Sequence, residues 1–197
     1  MTKDQIVNVI KELCIKAFGK NAVIDCDFEK LAEAMLTKCA IYRVDPRLCL
    51  AQGIAECHFG VNPEARRSRK TRNIWNVGNV DDGGNRFFAS YEAGMDVYLR
   101  LMSREYRYPA EGNIVTPEMM IRHDFVRPRG GRYATAPSYT KVIEGIVKKV
   151  DEGLQGTGNR DEVSGTQERS PALRREQGTG DAGTESCATG KGTGRKG

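Results

Sequence analysis

Asp45-Pro46-Arg47-Leu48-Cys49-Leu50-Ala51-Gln52-Gly53-Ile54-Ala55-Glu56-Cys57-His58-Phe59-Gly60 is the stretch whose reading decides the fold. Asp45 is an N-cap residue and Pro46 fits the first helical position, where no N–H is needed, so the pair predicts a helix start. Between Leu48 and Cys57 the run is largely apolar, and Gly60 marks the end of the helix. Glu56 interrupts that apolar run one turn beyond Gln52 and Gly53, in the last turn of the helix. Both partial burial and the negative end of the helix dipole favour the neutral carboxyl there. A carboxyl that keeps its proton near neutral pH has the property a general acid needs. Gly53, one turn back, is expected to leave room above the carboxyl for a substrate.

Working outward, the same kind of signal gives a mainly helical fold. Ile6, Val9, Ile10, Leu13 and Ala17 lie at helical spacing over 3–18, ahead of Gly19. Phe28, Leu31, Ala32, Met35, Leu36 and Cys39 repeat the pattern over 28–42 behind Asp27. Ser90 opens a helix over 91–106, Thr116-Pro117 a shorter one, and Pro137-Ser138 a last one carrying Val142, Ile143, Ile146, Val147 and Val150. Gly60 to Ser90 reads as a functional loop or small β-lobe. From Gly153 on, Gly, Thr and charged residues dominate and aromatics are absent, so 153–197 reads as a disordered tail that includes Cys187. The expected organisation is therefore a domain over 1–152, with a helical pair in 1–44 and the motif-bearing part in 45–152, followed by the tail.

The 197 residues suit one domain with an appendage. No apolar run reaches the ~20 residues of a membrane span, so membrane insertion is not expected. The N-terminus lacks the apolar core of a secretory signal. A net charge of +5 is mildly basic and suits an anionic polymer. Ala65-Arg66-Arg67-Ser68-Arg69-Lys70-Thr71-Arg72 is the densest basic run. It lacks interleaved aromatics, so a solvated loop is favoured over a nucleic-acid site. Six cysteines without CxxC spacing read as reduced, mostly buried thiols, and His58 and His123 show no ligand spacing, so neither a metal nor a cofactor is expected.

Four segments in order resemble the lysozyme-like superfamily, in particular the bacterial and phage lytic transglycosylases and the β-N-acetylglucosaminidases of the flagellar type. Leu50–Gly60 is similar to their catalytic helix, Asn73-Ile74-Trp75-Asn76-Val77-Gly78-Asn79 to a cleft segment, and Phe87-Phe88-Ala89-Ser90-Tyr91-Glu92-Ala93-Gly94 to an aromatic strand leading into a helix. Gly131-Arg132-Tyr133-Ala134-Thr135-Ala136-Pro137-Ser138-Tyr139 is similar to the closing motif. Cys57 stands where those proteins usually carry Ser, and Ala136 where they carry Asp.

This resemblance implies a lysozyme-like helical domain, classed mainly α (α+β), that cleaves β-1,4 bonds between N-acetylmuramic acid and N-acetylglucosamine in peptidoglycan. Glu56 would be the acid and Tyr133 a cleft hydroxyl. Asp82 is the candidate second carboxylate, with Asp81 and Glu64 as alternatives. Gln52, Trp75, Asn76, Asn79 and Tyr139 would bind substrate, with Trp75 or Phe88 offering a face to sugars. With only loop acids to serve as a second carboxylate, a single-acid lytic transglycosylase is placed ahead of a hydrolase. The expected partners are glycan strands and virion proteins, for a phage-encoded chain made in the cytoplasm and delivered to the cell wall or periplasm as a virion component or by holin-mediated release. A non-catalytic wall-binding or virion assembly protein on the same scaffold, and a basic nucleic-acid binder, are the alternatives.

Overall fold

Side-chain caps open five of the α-helices of the computed structural model, which describes residues 1–78, 86–134 and 136–156. Thr2 and Gln5 form a reciprocal capping box at the start of α1 (Lys3–Ile10), and the chain continues through a π-helical turn (Lys11–Ile15) into α2 (Lys16–Phe18). Asp27 caps α3 (Phe28–Tyr42) by accepting from the Lys30 N–H at 3.1 Å. Asp45 caps α4 (Pro46–Cys57) by accepting from the Arg47 N–H at 2.8 Å, and Pro46 occupies the first turn. A short α5 (Arg66–Thr71) follows. Ser90 and Thr116 then cap α6 (Tyr91–Glu105) and α7 (Pro117–Arg122), and α8 (Tyr139–Gly156) ends the described chain. All described residues belong to one folded unit.

Helix α4 is the axis. Leu48, Cys49, Leu50, Ala51, Gln52, Gly53, Ile54 and Cys57 are all buried, and α8, α3 and α1 pack around them. Helix α8 is amphipathic: Ile143, Val147 and Val150 face the core, whereas Val142, expected in the apolar stripe, is exposed. Burial of such a side chain contributes about 1.5–3 kcal/mol, so the α4–α8 seam is a main source of stability.

Four expectations need correction. Helix α4 ends at Cys57 rather than Gly60, because His58, Phe59 and Gly60 turn through three consecutive positive φ values, 49°, 53° and 77°. Left-handed backbone disfavours the two non-glycine residues; burial of the Phe59 ring, 1% exposed and edge-on to Trp75 at 6.0 Å, offsets this. No strand occurs among the described residues, only two isolated bridges, Val44 with Val115 and Val126 with Arg132. The expected β-lobe and the aromatic strand are thus not formed in the described parts of 60–90. In their place the basic run forms α5. Finally, the last helix passes Gly153 and runs to Gly156, with Leu154 packed on the core and its carbonyl accepting from Gln5 Nε2 at 3.4 Å. The rest of the expected tail, with Cys187, lies outside the described residues.

Candidate active site

Glu56 lies half-buried in the last turn of α4, and three groups from other parts of the chain meet it. The Tyr139 hydroxyl, at the start of α8, donates to Glu56 Oε1 at 2.9 Å. The Asn76 side chain also hydrogen-bonds the carboxylate, and the Arg67 guanidinium lies within electrostatic reach. Arg67 Nη2 in turn donates to Asn76 Oδ1 at 2.7 Å. Burial is the largest influence on Glu56 and pushes its pKa above the usual glutamate value; the Tyr139 and Asn76 hydrogen bonds and the Arg67 charge oppose it without cancelling it. None of these described neighbours is a second carboxylate.

Asn76 reaches the carboxylate because its turn is tightly built. Asn73, 1% exposed, donates from Nδ2 to the Val77 carbonyl at 3.0 Å and accepts from the Val77 N–H at 3.1 Å, closing the chain on itself around Asn76. Asn76 takes a φ of 54°, a left-handed value that asparagine tolerates better than most side chains. Below this turn the Tyr133 hydroxyl donates to the Trp75 carbonyl at 2.6 Å. Cys57 also stays in the wall of the site: its thiol donates to the Ile74 carbonyl at 3.3 Å, and burial pushes its pKa up to about 11.

Compared with protein-family models, curated proteins and solved structures, the chain finds no match in any of the three. The geometry therefore carries the functional argument alone.

That geometry gathers some of the sequence-derived residues and removes others. Tyr139 and Asn76 touch Glu56 directly. Gln52 does not face a cleft: it is fully buried, with Nε2 donating to the Tyr139 hydroxyl at 3.0 Å and Oε1 accepting from the Tyr98 hydroxyl at 2.6 Å. Trp75 has no exposed surface to offer a sugar. It is stacked on Tyr98 at 5.3 Å, and its indole N–H donates to the Cys49 carbonyl at 2.9 Å. Tyr133 lies beside the site, but its proton is held by the Trp75 carbonyl rather than presented to a substrate. Phe88 packs against the core. The space beside Gly53 is filled, since a Cβ there would meet the Phe59 ring at 2.6 Å; the glycine admits an aromatic ring, not a ligand.

Asn79, Asp81, Asp82 and Thr135 lie outside the described residues. Glu64 is exposed, and its own N–H is turned onto Asn62 Oδ1 at 3.0 Å. Among the described residues no group of three or more His, Cys, Asp and Glu side chains is placed to hold a metal ion. Nor is any described helix long and apolar enough to cross a membrane.

Two residues absent from the sequence-derived site belong to it. Arg67 looked like one more charge in a basic run, and Tyr98 like one more core aromatic. Two further arginines of that run, Arg69 and Arg72, are committed to backbone carbonyls. Arg69 donates to the carbonyls of Gly60, Asn62 and Pro63 at 2.7, 2.6 and 2.8 Å, and Arg72 donates to the Ala89 carbonyl at 2.7 Å. The run forms a helix rather than a loop; Arg66 and Lys70 stay exposed, while Arg67, Arg69 and Arg72 brace the turns around the site.

Proposed function

We propose that the chain is a peptidoglycan-cleaving enzyme of lysozyme-like architecture, in which Glu56 is the acid that breaks the β-1,4 glycosidic bond. The observation that carries this reading is the state of Glu56: a half-buried carboxyl at the end of the central helix, with a raised pKa and a phenolic donor on Oε1. Such a group delivers a proton to a glycosidic oxygen as the sugar ring gains oxocarbenium character, and the resulting carboxylate is stabilised by Tyr139, Asn76 and Arg67. Because the acids offered as a second carboxylate, Asp81 and Asp82, stand on a Gly-rich stretch of the sequence, the single-acid route is placed ahead of the hydrolytic one. After protonating the leaving oxygen, Glu56 takes the proton of the sugar's 6-hydroxyl, and that oxygen closes a 1,6-anhydro ring.

Internal use of Arg67, Arg69 and Arg72 weighs against the basic run as a phosphate-binding surface. The test is Glu56→Gln, which keeps shape and removes the transferable proton. Lysis of purified peptidoglycan is expected to fall by about two to four orders of magnitude while sedimentation with the wall polymer persists. Unchanged lysis would remove Glu56 from the mechanism. Wall binding without lysis in the parent chain would favour the non-catalytic reading.

A further inference from the structure

The hydrogen bonds behind Glu56 form a chain with a defined direction. Tyr98, on α6, is fully buried and donates to Gln52 Oε1 at 2.6 Å; Gln52 Nε2 donates to the Tyr139 oxygen at 3.0 Å; and Tyr139 donates to Glu56 Oε1 at 2.9 Å. A phenol has one proton, and burial pushes the Tyr98 pKa well up, so Tyr98 remains a donor throughout the accessible pH range. A reversed Gln52 amide would set Nε2 against the Tyr98 hydroxyl and strand a buried O–H proton, a costly arrangement. The amide is thereby held with its N–H toward Tyr139, whose single proton is left to Glu56.

We propose that Tyr98 is a positioning residue for Glu56: by fixing the Gln52 carboxamide it directs the Tyr139 proton onto Oε1 and leaves Oε2 as the atom that carries the acidic proton. The assignment rests on the reading of Glu56 as the acid. Oε1 is an acceptor in both protonation states, so only Oε2 gains and releases a proton, and the carboxyl presents one defined face to its substrate. Without Tyr98, Gln52 is free to turn its Oε1 toward Tyr139 and compete for the proton that Glu56 receives. Losing a hydrogen bond to the charged form raises a carboxyl's pKa.

The titratable groups that face Glu56 are Tyr139 at the start of α8, Tyr133 just before it, Arg67 on α5 and Cys57 on α4, with Asn76 as a neutral donor. Tyr98→Phe changes none of them. The test is a carboxyl-carbon NMR titration of ¹³C-glutamate-labelled protein, with the Glu56 signal assigned by its loss in Glu56→Gln. Tyr98→Phe is expected to raise the Glu56 midpoint by on the order of one unit, as Tyr139→Phe does, and the double variant should add nothing beyond the larger shift. A midpoint that Tyr98→Phe leaves in place, or two shifts that add in full, would overturn the assignment. If Tyr98→Phe does not fold, Gln52→Met is titrated instead: it removes the competing oxygen and leaves Tyr139 only Glu56 to donate to, so a midpoint close to the parent's supports the assignment and a rise like that of Tyr139→Phe overturns it. The titration needs no substrate, so its failure is distinct from a failure of the proposed reaction, which the lysis assay reads separately.

Discussion

Glu56 has a stability signature as well as a chemical one. A carboxyl whose folded pKa lies above its unfolded value binds its proton more tightly in the folded chain. Its favourable contribution is complete below the ordinary glutamate value and is lost as pH rises through the raised folded value. Glu56→Gln, a fixed mimic of the protonated form, should therefore match the parent in denaturant midpoint at low pH and exceed it near neutrality. Parallel urea titrations across that range check the sign; a variant less stable than the parent at neutral pH would show that Tyr139, Asn76 and Arg67 outweigh burial. Gly53 supplies a second residue-scale test. Its Cβ position falls 2.6 Å from the Phe59 ring, so Gly53→Ala should cost about 1–3 kcal/mol by forcing that ring out of its place. A site left open for substrate would have tolerated the methyl group, and thermal unfolding separates the two.

Among elements, those that announce themselves by caps and periodicity were legible in the sequence: Asp27 before α3, Asp45-Pro46 before α4, Ser90 before α6 and Thr116-Pro117 before α7 all act as their chemistry predicts. What stayed hidden depends on long-range contacts. Nothing local says that His58 and Phe59 take left-handed backbone, because the reason is a ring lodging under Gly53. Glu56 stood out as a polar residue in an apolar run. Arg67 and Tyr98 did not, since their roles come from partners that only folding brings near: Asn76 for one, Gln52 across 46 residues for the other. Helix α5 shows the same limit, since six polar residues carry no apolar stripe and Arg69 holds the helix to the preceding turn through three carbonyls. Arg69→Lys keeps the charge but loses the forked geometry, so it should destabilise the fold by about 1–3 kcal/mol and speed amide exchange over 60–63. Exchange unchanged there would mean that the turn holds itself.

At the scale of the molecule, the described residues form a mainly helical body in which α4 is surrounded and the candidate site lies at its C-terminal end. The lysozyme-like reading and the reaction are proposals on that body, and the products of glycan cleavage test both. The single-acid route predicts 1,6-anhydromuramic ends in a digest of purified peptidoglycan, read by mass spectrometry. Free reducing ends would instead require a water-activating base, and Asp81→Asn and Asp82→Asn would then identify it by abolishing those ends.

Tyr139 and Glu56 are 83 residues apart, and the helix that brings Tyr139 to the carboxyl is the last described element of the chain. A ribosome adding roughly 5–20 residues per second needs on the order of 4–17 s to travel from one to the other. For that interval the nascent chain carries Glu56 with neither its phenolic donor nor the helix that buries it, as an ordinary hydrated glutamate. The acid comes into being only once α8 has been made and closes over α4.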